Sequence, residues 1–470
     1  MIRLECILAR MTNSTTVPDF INKGQTRVLE DVFSYSSNND IDLTVNAEPM
    51  RLARLASSGV WALDLHEALA ELTRNPPPPY PSQRIAVLYA DHYKPFKDAL
   101  GVMFDRGFDP GDDPSSASQF TRSPREGCAV FTEAIARARG TPMRIAQEEL
   151  FTTIHELGHV FNLQHTMQPS FMVQGGSAAN QFTASDQAML RCCSSSANVW
   201  PGGKPFSDTG KFSHLNFRVV KVAEVPGLSL RIGMGQKEFW PFEPVELDIE
   251  LRLAKSRQRA MSVPHAVDPG YDTFQIWIEE PNGERRLYRS PRRYCTGDAK
   301  LRLEPGGSFL RDVSIFGESG GYTFRTSGSH KLWATFEAKR GVRIQSNVIE
   351  VYVRGHSDTQ QYAEAKAALQ HSVRGKFLYH RLAEATPPGQ LRRLKAFAEA
   401  KGKLESKGSV QYALGKALAT QQLDSGRAAS KGAIELLSRA FDAQDLGKRQ
   451  REATAELLKR ISGSRVSAPS

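Results

Sequence analysis

His155-Glu156-Leu157-Gly158-His159-Val160-Phe161-Asn162-Leu163-Gln164-His165 reads HExxHxxxxxH: three imidazoles and one carboxylate at a spacing that builds an open metal site. On a helix, residues i and i+4 share a face one turn apart, so His155 and His159 turn ring nitrogens toward one ion. Glu156 stands beside them, within reach of a water on that ion. If the helix ran on, His165 would be carried up the axis and around to another face. The chain must therefore break its helix between His159 and His165 and fold back. Three protein ligands leave the fourth position of a zinc ion to water, which is the arrangement of a catalytic site rather than a closed structural one.

The spacing is informative. With 11 histidines in 470 residues, HExxH arises by chance in roughly one such chain in a hundred, and the third histidine lowers this to roughly three in ten thousand. The flanks also suit a buried helix. Met143 to Ile154 is rich in helix formers, and Pro142 suits the first turn. Ile145, Leu150, Ile154, Leu157 and Phe161 form an apolar stripe.

These residues resemble the metzincin zinc metalloproteases, and among them the matrixin type, whose pattern is HExxHxxGxxH followed by a turn with a methionine beneath the metal. The resemblance implies one catalytic Zn2+ held by His155, His159 and His165, with Glu156 as general base. It implies that Met172, within Gln168 to Val173, is the turn methionine. Phe182 to Leu190 resembles the closing helix, with Thr183 or Ser185 as its cap and Asp186 in its first turn. The departure is Asn162, which stands where the family has its helix-ending glycine; that position needs a left-handed backbone, and Asn tolerates it best after Gly. The resemblance covers roughly residues 24 to 203. It implies an α/β catalytic domain, a mixed twisted sheet plus the active-site helix, that hydrolyses peptide bonds of a protein or peptide substrate.

The upstream sequence suits such a domain. Asn22 to Ser37 reads as a helix, Ile41 to Val45 as a strand, and Trp61 to Thr73 as an amphipathic helix closed by Pro76 to Pro79. Arg84 to Ala90 and Leu100 to Phe104 read as strands, and Phe108 to Pro124 as a polar loop. Gly127 to Ile135 reads as a strand, and the resemblance makes it the sheet edge along which a peptide substrate lies extended.

A chain of this length is expected to form two or three domains. We place a metallopeptidase domain at 1–207, with a boundary near Trp200 to Pro205. An all-β immunoglobulin-like sandwich follows at 208–355, and an all-α helical region at 356–470. Val245 to Leu253 alternates apolar and charged residues, as a half-buried strand does. Phe274 to Ile278 and Arg286 to Arg289 flank Pro281-Asn282-Gly283, a hairpin signal. Lys331 to Phe336 and Val348 to Val353 repeat the alternation. Beyond Ser357 the composition turns to Ala, Lys, Leu, Glu and Arg. There Val410 to Leu418 with Ala433 to Phe441 faintly resembles a tetratricopeptide-type helical pair, and Ser462 to Ser470 reads as a disordered tail. The sandwich and the helices are candidates for binding a protein partner.

The formal net charge is +10, but no nucleic-acid recognition motif accompanies it, and the cluster Arg285, Arg286, Arg289, Arg292 and Arg293 reads as a solvated face. No transmembrane segment is expected. Glu5 and Arg10 interrupt the apolar run at the start, so Met1 to Arg10 makes a poor signal peptide; the reading is a cytoplasmic protein or one exported without a cleavable leader. Five cysteines, Cys6, Cys128, Cys192, Cys193 and Cys295, are too sparse for a disulfide framework. A second reading stays open: a non-catalytic binding or scaffold protein that keeps a vestigial or structural metal site. Asn162 is the feature that keeps it open.

Overall fold

The computed structural model describes residues 2–10, 21–22, 25–26, 29–38, 41–45, 50–52, 59–60, 82–94, 97–105, 125–161, 168–173, 181–191, 221–239, 245–271, 273–288, 292–296, 300–318, 321–324, 326–339, 341–355, 408–424, 431–444 and 446–462, with residues 64, 65, 68, 72, 163, 165, 166 and 290 between them. Two compact units divide the chain: Met1–Gly107 with Ala117–Arg218 and Pro291–Ala299, and Phe108–Ser116 with Val219–Ser290 and Lys300–Ser470.

The first unit is built on one mixed sheet. Its strands are β1 (Ile2–Arg10), β2 (Ile41–Val45), β3 (Ser82–Ala90), β4 (Ala99–Asp105), β5 (Arg125–Phe131) and β6 (Arg292–Thr296), in the order β6-β4-β5-β3-β1-β2, and Met50–Arg51 also pairs with β1. Strands β2, β1, β3 and β5 are mutually parallel, β4 runs antiparallel to β5, and β6 antiparallel to β4. Interior parallel strands are covered on both faces and so read as continuous apolar runs. Ile85 to Ala90 in β3 and Cys128 to Phe131 in β5 are wholly inaccessible, and Cys6 to Ala9 in β1 nearly so. Ile2–Arg10, read above as part of a poor leader, thus form a strand paired on both sides.

The described helices of this unit include α1 (Leu29–Ser37), α2 (Thr132–Arg139), α3 (Pro142–Val160) and α4 (Ala184–Arg191). The expected strand 127–135 is corrected: it stops at Phe131, and Thr132 opens α2. It is not the sheet edge either, since β5 lies between β3 and β4. Gly140 ends α2 with φ 70, a left-handed turn that favours glycine, and its N–H bonds the Ala136 carbonyl. Two residues later Pro142 starts α3, where its missing N–H costs nothing.

Helix α3 lies along β4 and β5. Every residue from Glu148 to Val160 is buried, so the sequence stripe understated the burial. Burying Leu150, Phe151, Ile154, Leu157 and Val160 contributes about 1.5–3 kcal/mol each before conformational entropy is counted. Phe33 of α1 packs on Phe161 at 5.1 Å and on Phe182 at 5.7 Å, tying α1 to the end of α3 and to the segment entering α4. Asp64, Leu65, Ala68 and Leu72 are helical, as the amphipathic pattern of 61–73 expects. The polar loop 108–124, the boundary at 200–205 and the tail beyond Ser462 lie outside the described residues.

The second unit holds a three-stranded antiparallel sheet (Leu228–Gly233, Glu246–Leu253, Ser308–Ser314) and a larger one centred on Gly328–Lys339, with Phe274–Glu279 and Ile349–Val353 on its two sides. The alternation read in Glu246–Leu253 is its burial pattern: Leu247, Ile249, Leu251 and Leu253 point inward. The hairpin at Pro281-Asn282-Gly283 is present, with Glu279 paired to Arg285 and Gly283 at φ 84. The Asn347 amide bonds both the N–H and the carbonyl of Ile232, at 2.9 and 3.0 Å.

Helices α5 (Gly408–Asp424), α6 (Lys431–Asp442) and α7 (Lys448–Ser462) share a core of Tyr412, Ala419, Ala433, Leu437, Ala440, Leu446 and Leu458. Their residues fall in the same compact unit as these strands. Pro291–Ala299, placed within the sandwich from sequence, falls in the first unit, where β6 pairs with β4. Arg285 bonds Glu279 at 2.7 Å, half-buried Arg286 bonds Glu280 at 2.6 Å, and Arg292 and Arg293 lie in β6.

Candidate metal centre

His155 and His159 lie one turn apart on α3, as the i, i+4 spacing demands. The helix then ends. The Phe161 N–H bonds the Leu157 carbonyl and the Leu163 N–H reaches back to the Gly158 carbonyl at 2.9 Å, which turns the chain so that His165 returns. The three Nε2 atoms form a nearly equilateral triangle: His155 to His165 3.0 Å, His155 to His159 3.1 Å, His159 to His165 3.1 Å. His155 and His159 are buried and His165 is half-buried.

The proton positions decide what this triangle means. His155 Nδ1 meets the Phe171 carbonyl, and His159 Nδ1 meets the Leu163 carbonyl at 2.8 Å. A carbonyl oxygen only accepts, so both Nδ1 atoms carry the proton and the neutral rings present lone pairs at Nε2. Converging lone pairs repel, and a cation among them relieves the repulsion. Two nitrogens each ~2.0–2.1 Å from one tetrahedral ion would lie about 3.3–3.4 Å apart, close to the spacing found. This buried three-histidine group could hold a metal ion, and its carbonyl partners fix ring orientation as metal-site histidines require.

Glu156 is fully buried beside the triad. A methyl group placed on Gly101 of β4 would stand 2.5 Å from Glu156 Oε1, so this carboxylate lies against strand β4 at that residue. Burial, reinforced by the Glu156 charge and by Cys6, pushes the Cys128 thiol well above its ordinary pKa, so that neighbour stays protonated. Higher on α3, burial raises Glu149 to about 7. Thr153 donates to the Glu149 carbonyl at 2.7 Å and lies 3.0 Å from the Tyr89 hydroxyl of β3.

Met172 is fully buried, and its sulfur fills the space that a side chain on Gly158 would take. The turn carrying it hangs from α4. Ser170 Oγ donates to Asp186 Oδ2 at 2.9 Å and accepts from the Met172 N–H at 3.1 Å. Thr183 and Asp186 form a reciprocal cap at 3.0 and 3.1 Å, which makes Thr183 the capping residue of the two considered. Burial raises the Asp186 carboxyl, while bonds from Thr183 and Ser170 partly offset this. The same turn presents the Phe171 carbonyl to His155.

The structure thus brings together three residues singled out from sequence, His155, His159 and His165; Glu156 follows His155 on α3 and lies against Gly101, and Met172 packs against Gly158. Asn162 lies outside the described residues. Sequence reading missed the supporting groups: the carbonyls of Leu163 and Phe171, the Ser170–Asp186 bond, and Gly101. Beside them, the Thr183-to-Asp186 capping spacing did leave a signal in the sequence.

No family model and no curated protein matches the chain. Among solved structures, the sporulation control protein Spo0M from Bacillus subtilis is 10% identical over 30% of this chain and 54% of its own, with a TM-score of 0.20. Wild-type OgpA from Akkermansia muciniphila is 12% identical over 75% of this chain and 93% of its own, at 0.21. The alkylpurine DNA glycosylase AlkC from Pseudomonas fluorescens is 8% identical over 27% and 31%, at 0.19. Likenesses this weak carry no statement about fold or chemistry. The chain spans about half of the Spo0M chain and about a third of the AlkC chain.

Proposed function

We propose that the chain is a zinc-dependent endopeptidase of metzincin-like, matrixin-type character, with its sandwich and helices as appended binding elements. One observation carries the reading: three Nε2 lone pairs converge within 3.1 Å of one another beside a buried glutamate. Three histidines with an adjoining carboxylate are the donor set of a catalytic zinc with a position left for water. When bound, zinc would polarise the scissile carbonyl and lower the pKa of water toward neutrality.

The rest falls to the chain's own groups. The carbonyls of Phe171 and Leu163 keep the rings of His155 and His159 neutral and aimed. Glu156 takes the proton from the attacking water and passes it to the leaving amide nitrogen. Strand β4, which touches Glu156 through Gly101, would take up the extended peptide only where β6 releases its edge.

The test is a metal analysis paired with a peptidase assay on a proteome-derived peptide mixture. The expected outcome is one zinc per chain and cleavage abolished by chelation and by Glu156→Gln. One zinc without cleavage would favour the scaffold reading.

A further inference from the structure

Strand β4 has no open edge. Strand β5 pairs along one side of it and β6 along the other, in the register Arg292–Phe104, Arg293–Met103, Tyr294–Val102, Cys295–Gly101 and Thr296–Ala99. Position 295 therefore lies directly across from the glycine whose backbone touches Glu156. Antiparallel partners stand about 4.5–5.5 Å apart at Cα. Each backbone N–H and carbonyl of β4 serves one ladder, so a second extended chain cannot pair there while β6 is in place.

Local sequence does not dictate this pairing. Strand β6 follows β4 by about 190 residues, whereas natural neighbours in antiparallel sheets are joined by short hairpins. The residues on either side, up to Ser290 and from Lys300, belong to the other unit. The strand is short, its register slips between Cys295 and Thr296, and it opens with two arginines. Its described side-chain anchor is Tyr294, buried with its ring 6.3 Å from that of Tyr93. These are the features of a strand that can be exchanged for another.

We infer that residues 292–296 are a resident peptide: they occupy the β4 edge beside Glu156 and compete there with an extended peptide in the same antiparallel register. This rests on the peptidase reading for its consequence, which is self-blocking of the site. The occupancy itself does not require turnover. The ligand class is an extended polypeptide bound through its main chain, with a side-chain preference at the position opposite Val102, where Tyr294 is buried.

The test compares the full-length zinc-loaded chain with one in which residues 292–296 are replaced by Gly-Ser-Gly-Ser-Gly, both also made as Glu156→Gln. The probe is a fluorescein-labelled peptide of residues 290–298 with serine at position 295. Tyr294→Ala serves as a second variant that keeps the backbone. The expected result is at least tenfold tighter probe binding by the replaced Glu156→Gln chain than by its unreplaced counterpart, an intermediate gain for Tyr294→Ala, and at least a tenfold rise in kcat/KM for peptide hydrolysis. Equal binding by both chains, or binding by neither, overturns the inference. Tighter binding without hydrolysis in any zinc-loaded chain leaves the resident strand standing and sinks the peptidase reading instead.

Discussion

Gly158 and Met172 share one volume: the fully buried methionine sulfur lies where any side chain at residue 158 would have to go. The glycine inside HELGH is therefore a packing requirement, which lets the turn carrying Met172 press against α3. Gly158→Ala is expected to destabilise the protein by about 1–3 kcal/mol through overpacking and to weaken metal binding. Adding Met172→Ala should restore part of the stability. Denaturant unfolding and metal titration of both variants check this, and an unaltered Gly158→Ala protein would refute the contact.

Glu156→Gln keeps the size of the side chain and removes its basicity. Metal content should stay at one ion per chain while kcat falls by about 10²–10⁴. Elemental analysis beside a peptidase assay measures both. Substantial residual hydrolysis by the metal-loaded variant would remove Glu156 from the mechanism.

Ser170 joins Asp186 to the turn that presents the Phe171 carbonyl to His155. Ser170→Ala should lower zinc affinity about 10–100-fold, the usual effect of losing a group that orients a ligand. Competition against a calibrated chelator measures this. An unchanged affinity would mean that the turn holds its shape without Asp186.

Burial raises Glu149 to about 7, above the value of an exposed glutamate. The folded state therefore binds this proton more tightly than the unfolded state does. Its stabilising contribution is complete below the unfolded pKa and is lost as pH rises through about 7. Glu149→Gln should accordingly raise the stability at pH 8 by an amount on the order of 2–3 kcal/mol, read as a higher Tm, and change little at pH 4. A Tm gain independent of pH would contradict the buried titration.

The site was more legible than the frame around it. The ligands and Glu156 announce themselves because helical periodicity converts spacing directly into direction. Met172 needed the family pattern, since a methionine alone is a common core filler. Strands β3 and β4 were readable as apolar runs, whereas β1 was masked by Glu5 and Arg10 in a segment that looked like an interrupted leader. The error at β5 was one of order: periodicity marks a strand but says nothing about which neighbours it takes. Strand β6 left almost no trace, because five residues beginning with two arginines have no alternation to betray a partner so distant in the chain.

That separation also sets a timetable for synthesis. Strands β1, β2, β3, β4 and β5 have all left the ribosome long before residues 292–296 exist. At ~5–20 residues per second, the outer rim of β4 stays bare for roughly 10–40 s in every nascent molecule. During that interval the newborn chain carries its histidine cluster with an unprotected strand beside it. Chaperone demand, premature self-association and any cleavage in cis would all be concentrated in that window.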